Sequence, residues 1–280
     1  DASGTGLFDV RARCWSQTLL NRLGFPASLF PRCMESTEIT GYVNSAAAEL
    51  TGLKAGTPVV GGGGDAVVQT TGMGITKPGV LGITIGVSGV AAVALEEFRP
   101  NHGGLLQVFC NNAPNLWHAM GVTLAAGGSL QWYRDNFCEA ETARAKAEGS
   151  RVYSILDDQA EAAAPGSKQL LFLPYLNGER CPYTDPDAKG AFIGLTLQHG
   201  KNEMTRSVME GVQFSLHQVF DLFTRLDPAI SVDRIIMSGG GSRSQIWRRI
   251  CADIFQASVQ TVSGSGEGGA FGAALLAGVG

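Results

Sequence analysis

Arg234-Ile-Ile-Met-Ser-Gly-Gly-Gly-Ser-Arg-Ser-Gln-Ile-Trp-Arg-Arg-Ile-Cys-Ala-Asp-Ile-Phe-Gln256 decides the fold class. Arg234–Met237 reads as a strand, Gly239–Arg243 as a loop and Ser244–Gln256 as a helix; Ser258–Val262 then predicts another strand and Glu267–Ala277 another helix. Strands that alternate with helices and turn through glycine make an α/β unit. Just upstream, Met204, Val208, Val212, Leu216, Val219, Phe223 and Leu226 recur at helical spacing, so Lys201–Leu226 is expected to be one long amphipathic helix. Arg206, Glu210, Gln213, His217, Asp221 and Arg225 lie opposite that stripe and predict a solvated face, with His217 in water.

Farther out, Leu124–Phe137 carries Leu130, Tyr133 and Phe137 at helical spacing, and Glu139–Gly149, rich in Ala, Lys and Glu, predicts a solvated helix. Leu81–Ile85 with Gly89–Leu95, and Leu106–Cys110 with Leu116–Met120, read as two hairpins, the second turning through Asn111-Asn-Ala-Pro114. Thr57-Pro-Val-Val is expected to be a short buried strand running into Gly61-Gly-Gly-Gly-Asp65, with a helix starting at Ala66-Val-Val-Gln-Thr-Thr. Between Asp1 and Ala55, helices are expected at Cys14–Leu23 and Asn44–Leu53, separated by loops that hold Pro26 and Pro31.

The 280 residues are 44% hydrophobic and 16% charged, which suits a packed globular chain and excludes a disordered one. The formal net charge is −4, and the 21 Lys and Arg residues are scattered, so no basic stripe offers the counterion release that drives nucleic-acid binding. Nucleic acid is therefore not expected as a partner. Six cysteines without a C-x-x-C signal neither zinc nor a redox motif, and buried free thiols in a reducing cytoplasm are expected. Pro78–Leu95 is uncharged, but Gly79, Gly82, Gly86 and Gly89 with Thr84 and Ser88 argue for a hairpin and not a membrane span. Asp1–Phe8 lacks the basic stretch and apolar core of a signal peptide.

Glycine is the anomaly, at 38 residues gathered into clusters. There is no G-x-x-x-x-G-K-[ST], no G-x-S-x-G and no H-E-x-x-H. Gly264-Ser-Gly-Glu-Gly-Gly269 satisfies G-x-G-x-x-G, but a ribose-binding acid ~20 residues on would fall beyond Gly280, which leaves dinucleotide binding only as an alternative. Three turns remain, at Gly61–Asp65, Gly86–Gly89 and Gly239–Ser242. Each follows an apolar run, and each lets main-chain N–H groups crowd around an anion. A plain tight turn is the competing reading for any one of them. Asp65 follows four glycines at a helix N-terminus, where it can accept a hydroxyl proton or serve as the helix N-cap.

Gly190-Ala-Phe-Ile-Gly-Leu195, followed after seven residues by Glu203-Met-Thr-Arg-Ser-Val-Met-Glu-Gly211, resembles the C-terminal signature of the FGGY family of carbohydrate kinases. Gly62-Gly-Gly-Asp65 resembles the family's catalytic loop, Ser238-Gly-Gly-Gly-Ser-Arg-Ser244 its adenosine loop, and Leu173-Pro-Tyr-Leu-Asn-Gly-Glu-Arg-Cys-Pro182 the loop before the signature. Asp1-Ala-Ser-Gly-Thr with Leu7-Phe-Asp and Trp15-Ser16 is more similar to members that phosphorylate xylulose than to those that phosphorylate glycerol.

The resemblance implies an actin-like ATPase (RNase H-like) fold in which two domains close on MgATP and a sugar. It implies transfer of a phosphoryl group from ATP to a ketopentose, D-xylulose first, giving D-xylulose 5-phosphate, with Asp65 as general base. Gly86, Val87 and Ser88 fall on the family's phosphate turn, and Gly127, Gln131, Gly239, Gly240 and Ser244 fall where ATP is contacted. Val87 stands in place of a threonine in that turn, and Ala66 in place of an asparagine after the catalytic aspartate. No protein ligand for a metal is implied; magnesium would be held by phosphates and water. The family's N-terminal D-x-G-T phosphate motif is missing from the sequence. Residues 1–55 are therefore expected to be a remnant of the N-terminal, sugar-side domain, and residues 56–280 the C-terminal, ATP-side domain, truncated at its end and inactive alone. A cytoplasmic enzyme with a small-molecule sugar substrate, no membrane partner and self-association into a homodimer completes the expectation. A kinase of another ketose or polyol, or a non-catalytic nucleotide-binding fragment, stands as the alternative.

Overall fold

A computed structural model describes residues 2–101, 103–264 and 268–280. The chain opens with paired strands β1 (Phe8–Asp9) and β2 (Cys14–Trp15), helix α1 (Gln17–Leu23), strand β3 (Ile39–Tyr42), helix α2 (Ser45–Thr51) and strand β4 (Pro58–Val60), which pairs with β3. Helix α3 (Asp65–Gly72) leads to the strands β5 (Gly79–Ile85), β6 (Gly89–Leu95), β7 (Gln107–Cys110) and β8 (Trp117–Thr123). There follow helices α4 (Gly127–Phe137), α5 (Glu139–Glu148) and α6 (Val152–Ala162), a two-stranded ribbon of β9 (Leu171–Leu173) and β10 (Ala191–Ile193), and the long helix α7 (Lys201–Leu226). Strand β11 (Val232–Ser238), helix α8 (Gln245–Phe255), strand β12 (Ser258–Gln260) and helix α9 (Gly269–Val279) close the chain.

Six strands make the central sheet, in the order β12-β11-β5-β6-β8-β7. The strands β12, β11 and β5 run parallel, while β5, β6, β8 and β7 are antiparallel neighbours. Side chains that alternate along a strand emerge on opposite faces of the sheet. Leu81, Ile83, Ile85, Ala91, Val93, Leu95, Ala119, Ile235 and Met237 accordingly join one core, against Leu130, Leu156, Val212, Leu216 and Trp247 of the helices. Val80, Ala94 and Ile236 join a smaller core on the other face with Met73 and Ile75. Both faces are covered, which is why β5 and β6 are almost continuously apolar in sequence.

The structure corrects several local expectations. The first half of the polar side of α7 is not solvated: Arg206, Glu210 and Gln213 are only 4%, 6% and 0% exposed, because α6 and β9 pack over the side of α7 that the sheet leaves free, whereas Arg225 near the end of the helix is exposed as expected. His217 is half-buried, its ring 4.9 Å from that of Phe255. The strand β4 is exposed and not buried. Helix α1 begins only at Gln17, where the Ser16 side chain accepts from the Leu19 N–H, while Cys14 and Trp15 are taken up by β2. All six cysteines are free, but Cys14 is exposed, and Cys33 and Cys110 are only partly covered. The helix expected from Glu267 starts at Gly269; Glu267 itself and the centre of the Gly264–Gly269 turn, residues 265–267, lie outside the described residues, as does His102. No helix among the described residues is long and apolar enough to cross a membrane.

Candidate active site

Because β5 and β11 run parallel, the turns that leave them emerge side by side. Gly239, immediately after β11, has φ +79°, and a Cβ there would lie 2.5 Å from the Ile85 carbonyl oxygen, so only glycine lets the two strand ends meet. The turn after β5 is also tied to the start of α4. The N–H groups of Ala126 and Gly128 donate to the Val87 carbonyl (2.8 and 3.0 Å), and that of Gly127 donates to the Gly86 carbonyl (2.8 Å). These bonds occupy N–H groups at the head of α4 that a phosphate could otherwise use. The Gly86 N–H likewise turns inward, to the Ser88 carbonyl (3.0 Å).

The two turns and α4 enclose a cleft of about 380 Å³. Gly86, Val87, Gly127, Gln131, Gly240 and Ser244 all line it, so six of the eight residues expected to hold nucleotide come together. Ser88 and Gly239 sit beside it in the chain. A Cβ at Gly240 would meet nothing within 4 Å, which leaves the backbone there open to close approach. Ile85, Leu130 and Trp247 give the cleft apolar sides, and Trp247 is fixed by its ring N–H donating to the Met209 carbonyl (3.2 Å). Ser244 caps α8: its Oγ accepts from the Trp247 N–H (3.1 Å) and donates to Asp157 Oδ1 (2.8 Å).

The opposite wall belongs to α6 and was not foreseen. Arg151, at the cap of the helix, and Tyr153, Ser154 and Asp157 line it, and Arg243 joins them from the adenosine-like loop. Val152, Ile155, Leu156 and Ala160 do carry a helical spacing that could have announced α6. Burial raises the pKa of Asp157 above the ordinary carboxylate value, against the opposing pull of the Ser244 hydrogen bond.

Asp65 does not line this cleft. Nor is it the helix N-cap, since Gly64 holds that position and Asp65 is the first helical residue, its Oδ1 accepting from the Ala66 N–H (2.8 Å). Gln69 donates to Thr84 (3.3 Å), and Ile75 lies against Gly82, so α3 runs antiparallel to β5. Asp65 is one turn of helix, about 6 Å, beyond Gln69. Asp65 is exposed, and the course of α3 carries it toward the end of β5 from which the Gly86–Ser88 turn leaves. The preceding Gly61, Gly62 and Gly63 line a second, more polar cleft of about 630 Å³ with Arg13, Glu35, Ser36, Asn111 and Asn112. There Arg13 and Glu35 form a two-bonded ion pair (2.8 and 2.6 Å), and Asn112 joins Ser36 (2.8 Å) to Thr71 (2.8 Å).

Residues 81–280 match the C-terminal domain, and residues 1–72 the N-terminal domain, of the FGGY family of carbohydrate kinases. The chain belongs to the FGGY family of carbohydrate kinases. It is 36% identical over 277 residues to the xylulose kinase of Escherichia coli (strain K12), covering 99% of this chain and 54% of that protein. It is 34% identical over 277 residues to a gluconokinase of Bacillus licheniformis, with 98% and 53% covered. The crystal structure of a xyloylose kinase from Brucella ovis superposes with a TM-score of 0.85 at 32% identity, covering all of this chain and 55% of that one. The chain thus spans about half the length of the relatives it matches, and its fold is that of the actin-like sugar kinases.

The segment that resembles the FGGY signature serves packing in this structure. Gly211 on α7 rests directly against the Phe172 carbonyl of β9, and a Cβ at Gly194 (φ +91°) would lie 2.9 Å from the Gln169 carbonyl oxygen. Arg206 and Glu210 pair inside the protein at 2.7 Å.

Proposed function

We propose that the chain forms the nucleotide-holding part, and carries the catalytic carboxylate, of a kinase that moves a phosphoryl group from ATP to a hydroxyl of a small sugar. The observation that carries this reading is the convergence of Gly86, Val87, Gly127, Gln131, Gly240 and Ser244 on one cleft. Family membership, and the course of α3 that carries Asp65 toward the same end of β5, support it.

In this reading the phosphates lie along Gly86–Ser88, where Ser88 offers a hydroxyl and Val87 only its backbone, and the adenosine lies over Gly239 and Gly240. The sugar occupies the polar cleft beside Gly61–Gly63. Asp65 orients the accepting hydroxyl and takes its proton as the new P–O bond forms and the bond from the γ-phosphorus to the bridging oxygen breaks, releasing ADP. Because the transition state is loose, alignment of hydroxyl and phosphorus matters more than the strength of the base. Magnesium would arrive on the nucleotide, held by phosphate oxygens and water.

D-xylulose is the first substrate we propose, on the similarity to xylulose kinases. D-gluconate is the second, because the B. licheniformis gluconokinase is nearly as similar over almost the same stretch. A coupled ADP-release assay on the full-length protein, run with D-xylulose, D-gluconate, other ketoses and glycerol, decides between them. Asp65→Asn is expected to lower kcat by at least ~10²-fold with ATP affinity nearly unchanged. Retained turnover in that variant removes Asp65 from the mechanism. ATP binding with no turnover on any acceptor favours a non-catalytic nucleotide-binding protein.

A further inference from the structure

The cleft between α4, α6 and the Gly239–Arg243 turn has two unlike ends. At one end are the glycine turn and Gly127; at the other is Asp157, the one carboxylate among the described lining residues. Arg151 and Arg243 line the cleft as well, and Arg151 and Arg248 act on Asp157, so the orientation is taken from the reading above, which lays the phosphates along Gly86–Ser88 and away from the carboxylate. The uncharged part of the nucleotide is then left facing α6, between the apolar sides formed by Leu130, Tyr153 and Trp247.

Asp157 is held by a hydrogen bond as well as by packing. Ser244, itself fixed as the cap of α8, donates to Oδ1 and so fixes the carboxylate plane. Oδ2 is an acceptor and nothing else, since an ionised carboxylate has no proton to give. Burial raises the pKa of the group more than the Ser244 hydrogen bond and the charges of Arg151 and Arg248 lower it, and an N–H from a ligand would oppose that rise.

Resting on the nucleotide reading above, we infer that Asp157 is a specificity residue that accepts the exocyclic N–H of adenine and so selects 6-amino over 6-oxo purine nucleotides. A 6-oxo group turns an acceptor toward an acceptor, and that mismatch costs affinity. Asp157→Asn inverts the chemistry at one atom. The amide oxygen can keep the Ser244 bond, while the amide nitrogen presents a donor to the cleft.

The test is calorimetric titration of ATP, ITP and dATP into the full-length protein, its Asp157→Asn variant and, as a control, Asp158→Asn, whose side chain is exposed on the same helix. Wild type is expected to bind ATP about tenfold or more tighter than ITP, the equivalent of one well-made hydrogen bond. In Asp157→Asn that ratio should fall at least about tenfold or reverse, with ATP and dATP weakened equally, and Asp158→Asn should match wild type. Equal binding of ATP and ITP by wild type overturns the inference without any variant having to fold. An Asp157→Asn effect on the ATP to dATP ratio alone also overturns it, by placing the ribose at Asp157. Failure of wild type to bind ATP removes the nucleotide reading itself, and this inference with it.

Discussion

Replacing Arg206 with methionine tests whether α7 is held by a buried ionic network or only by its apolar stripe. Arg206 and Glu210 are 4% and 6% exposed. The arginine Nε donates to Glu210 Oε1 at 2.7 Å, and its Nη1 donates to the carbonyls of Ala160 and Ala163, each at 3.1 Å. Glu210 also accepts the Gly166 N–H and the Ser167 hydroxyl, both at 2.9 Å. Methionine fills a similar volume but supplies none of the three donations. Two carbonyls at the end of α6 lose a partner, and a buried carboxylate loses its countercharge. Breaking a buried pair from one side costs about 3–5 kcal/mol. The two donors that remain on Glu210 place the expected loss near the lower end, ~3 kcal/mol. Urea unfolding followed by tryptophan fluorescence should show the midpoint falling with the slope m unchanged. A loss below ~1 kcal/mol would mean that the pair is dispensable and that apolar packing alone seats the helix.

Other expectations are separately measurable. Gly240→Val should leave the thermal midpoint nearly intact, since a side chain there meets open space, yet raise the ATP Kd about tenfold or more by filling the cleft; an unchanged Kd in the folded variant removes the adenosine-loop role. His118, fully buried on β8 with neither ring nitrogen hydrogen-bonded among the described residues, has its pKa lowered by burial to about 4 against ~6.5 unfolded, so the unfolded chain binds the extra proton and stability falls as pH drops from ~6.5 through about 4. That shift corresponds to about 3 kcal/mol, present in full above pH ~6.5; a His118→Leu variant whose stability falls as steeply as wild type's over the same range would show the histidine is not its source.

Glycine was the most readable residue in this chain because its uses leave a mark in sequence. Gly239 and Gly194 occupy positive φ, and Gly211 and Gly127 stand where a Cβ would strike a carbonyl. A run of glycine after apolar residues therefore pointed to turns, and the turns to the cleft. The hairpins β5–β6 and β7–β8 were readable for a related reason, since a sheet covered on both faces demands unbroken apolar runs. Burial of a polar face leaves no such mark. Arg206, Glu210 and Gln213 are spaced as a solvated stripe would be, and what covers them comes from residues more than thirty positions away in sequence. Asp157 was unreadable for the same reason: its partner Ser244 is 87 residues on. Asp65 could be marked as a chemical candidate, but its helix position could not be fixed to the residue, because glycine is only slightly worse than aspartate as a cap and Gly64 takes that place.

The buried network and the cleft are joined through one helix. Arg206 holds the carbonyls of Ala160 and Ala163 at the end of α6; Thr205 donates to Gln159 (2.9 Å), which in turn donates to Glu141 (3.0 Å), and Lys201 closes the chain on Glu141 (2.7 Å). The first turns of α7 therefore grip α6 at Gln159, Ala160 and Ala163, and two residues before that grip Asp157 faces the cleft and holds Ser244. A displacement of α6 along its axis would move Asp157 away from the α8 cap and change the depth of the cleft. The segment that resembles the family signature thus contributes to a cleft that none of its residues lines, by setting the position of the helix that forms the far wall.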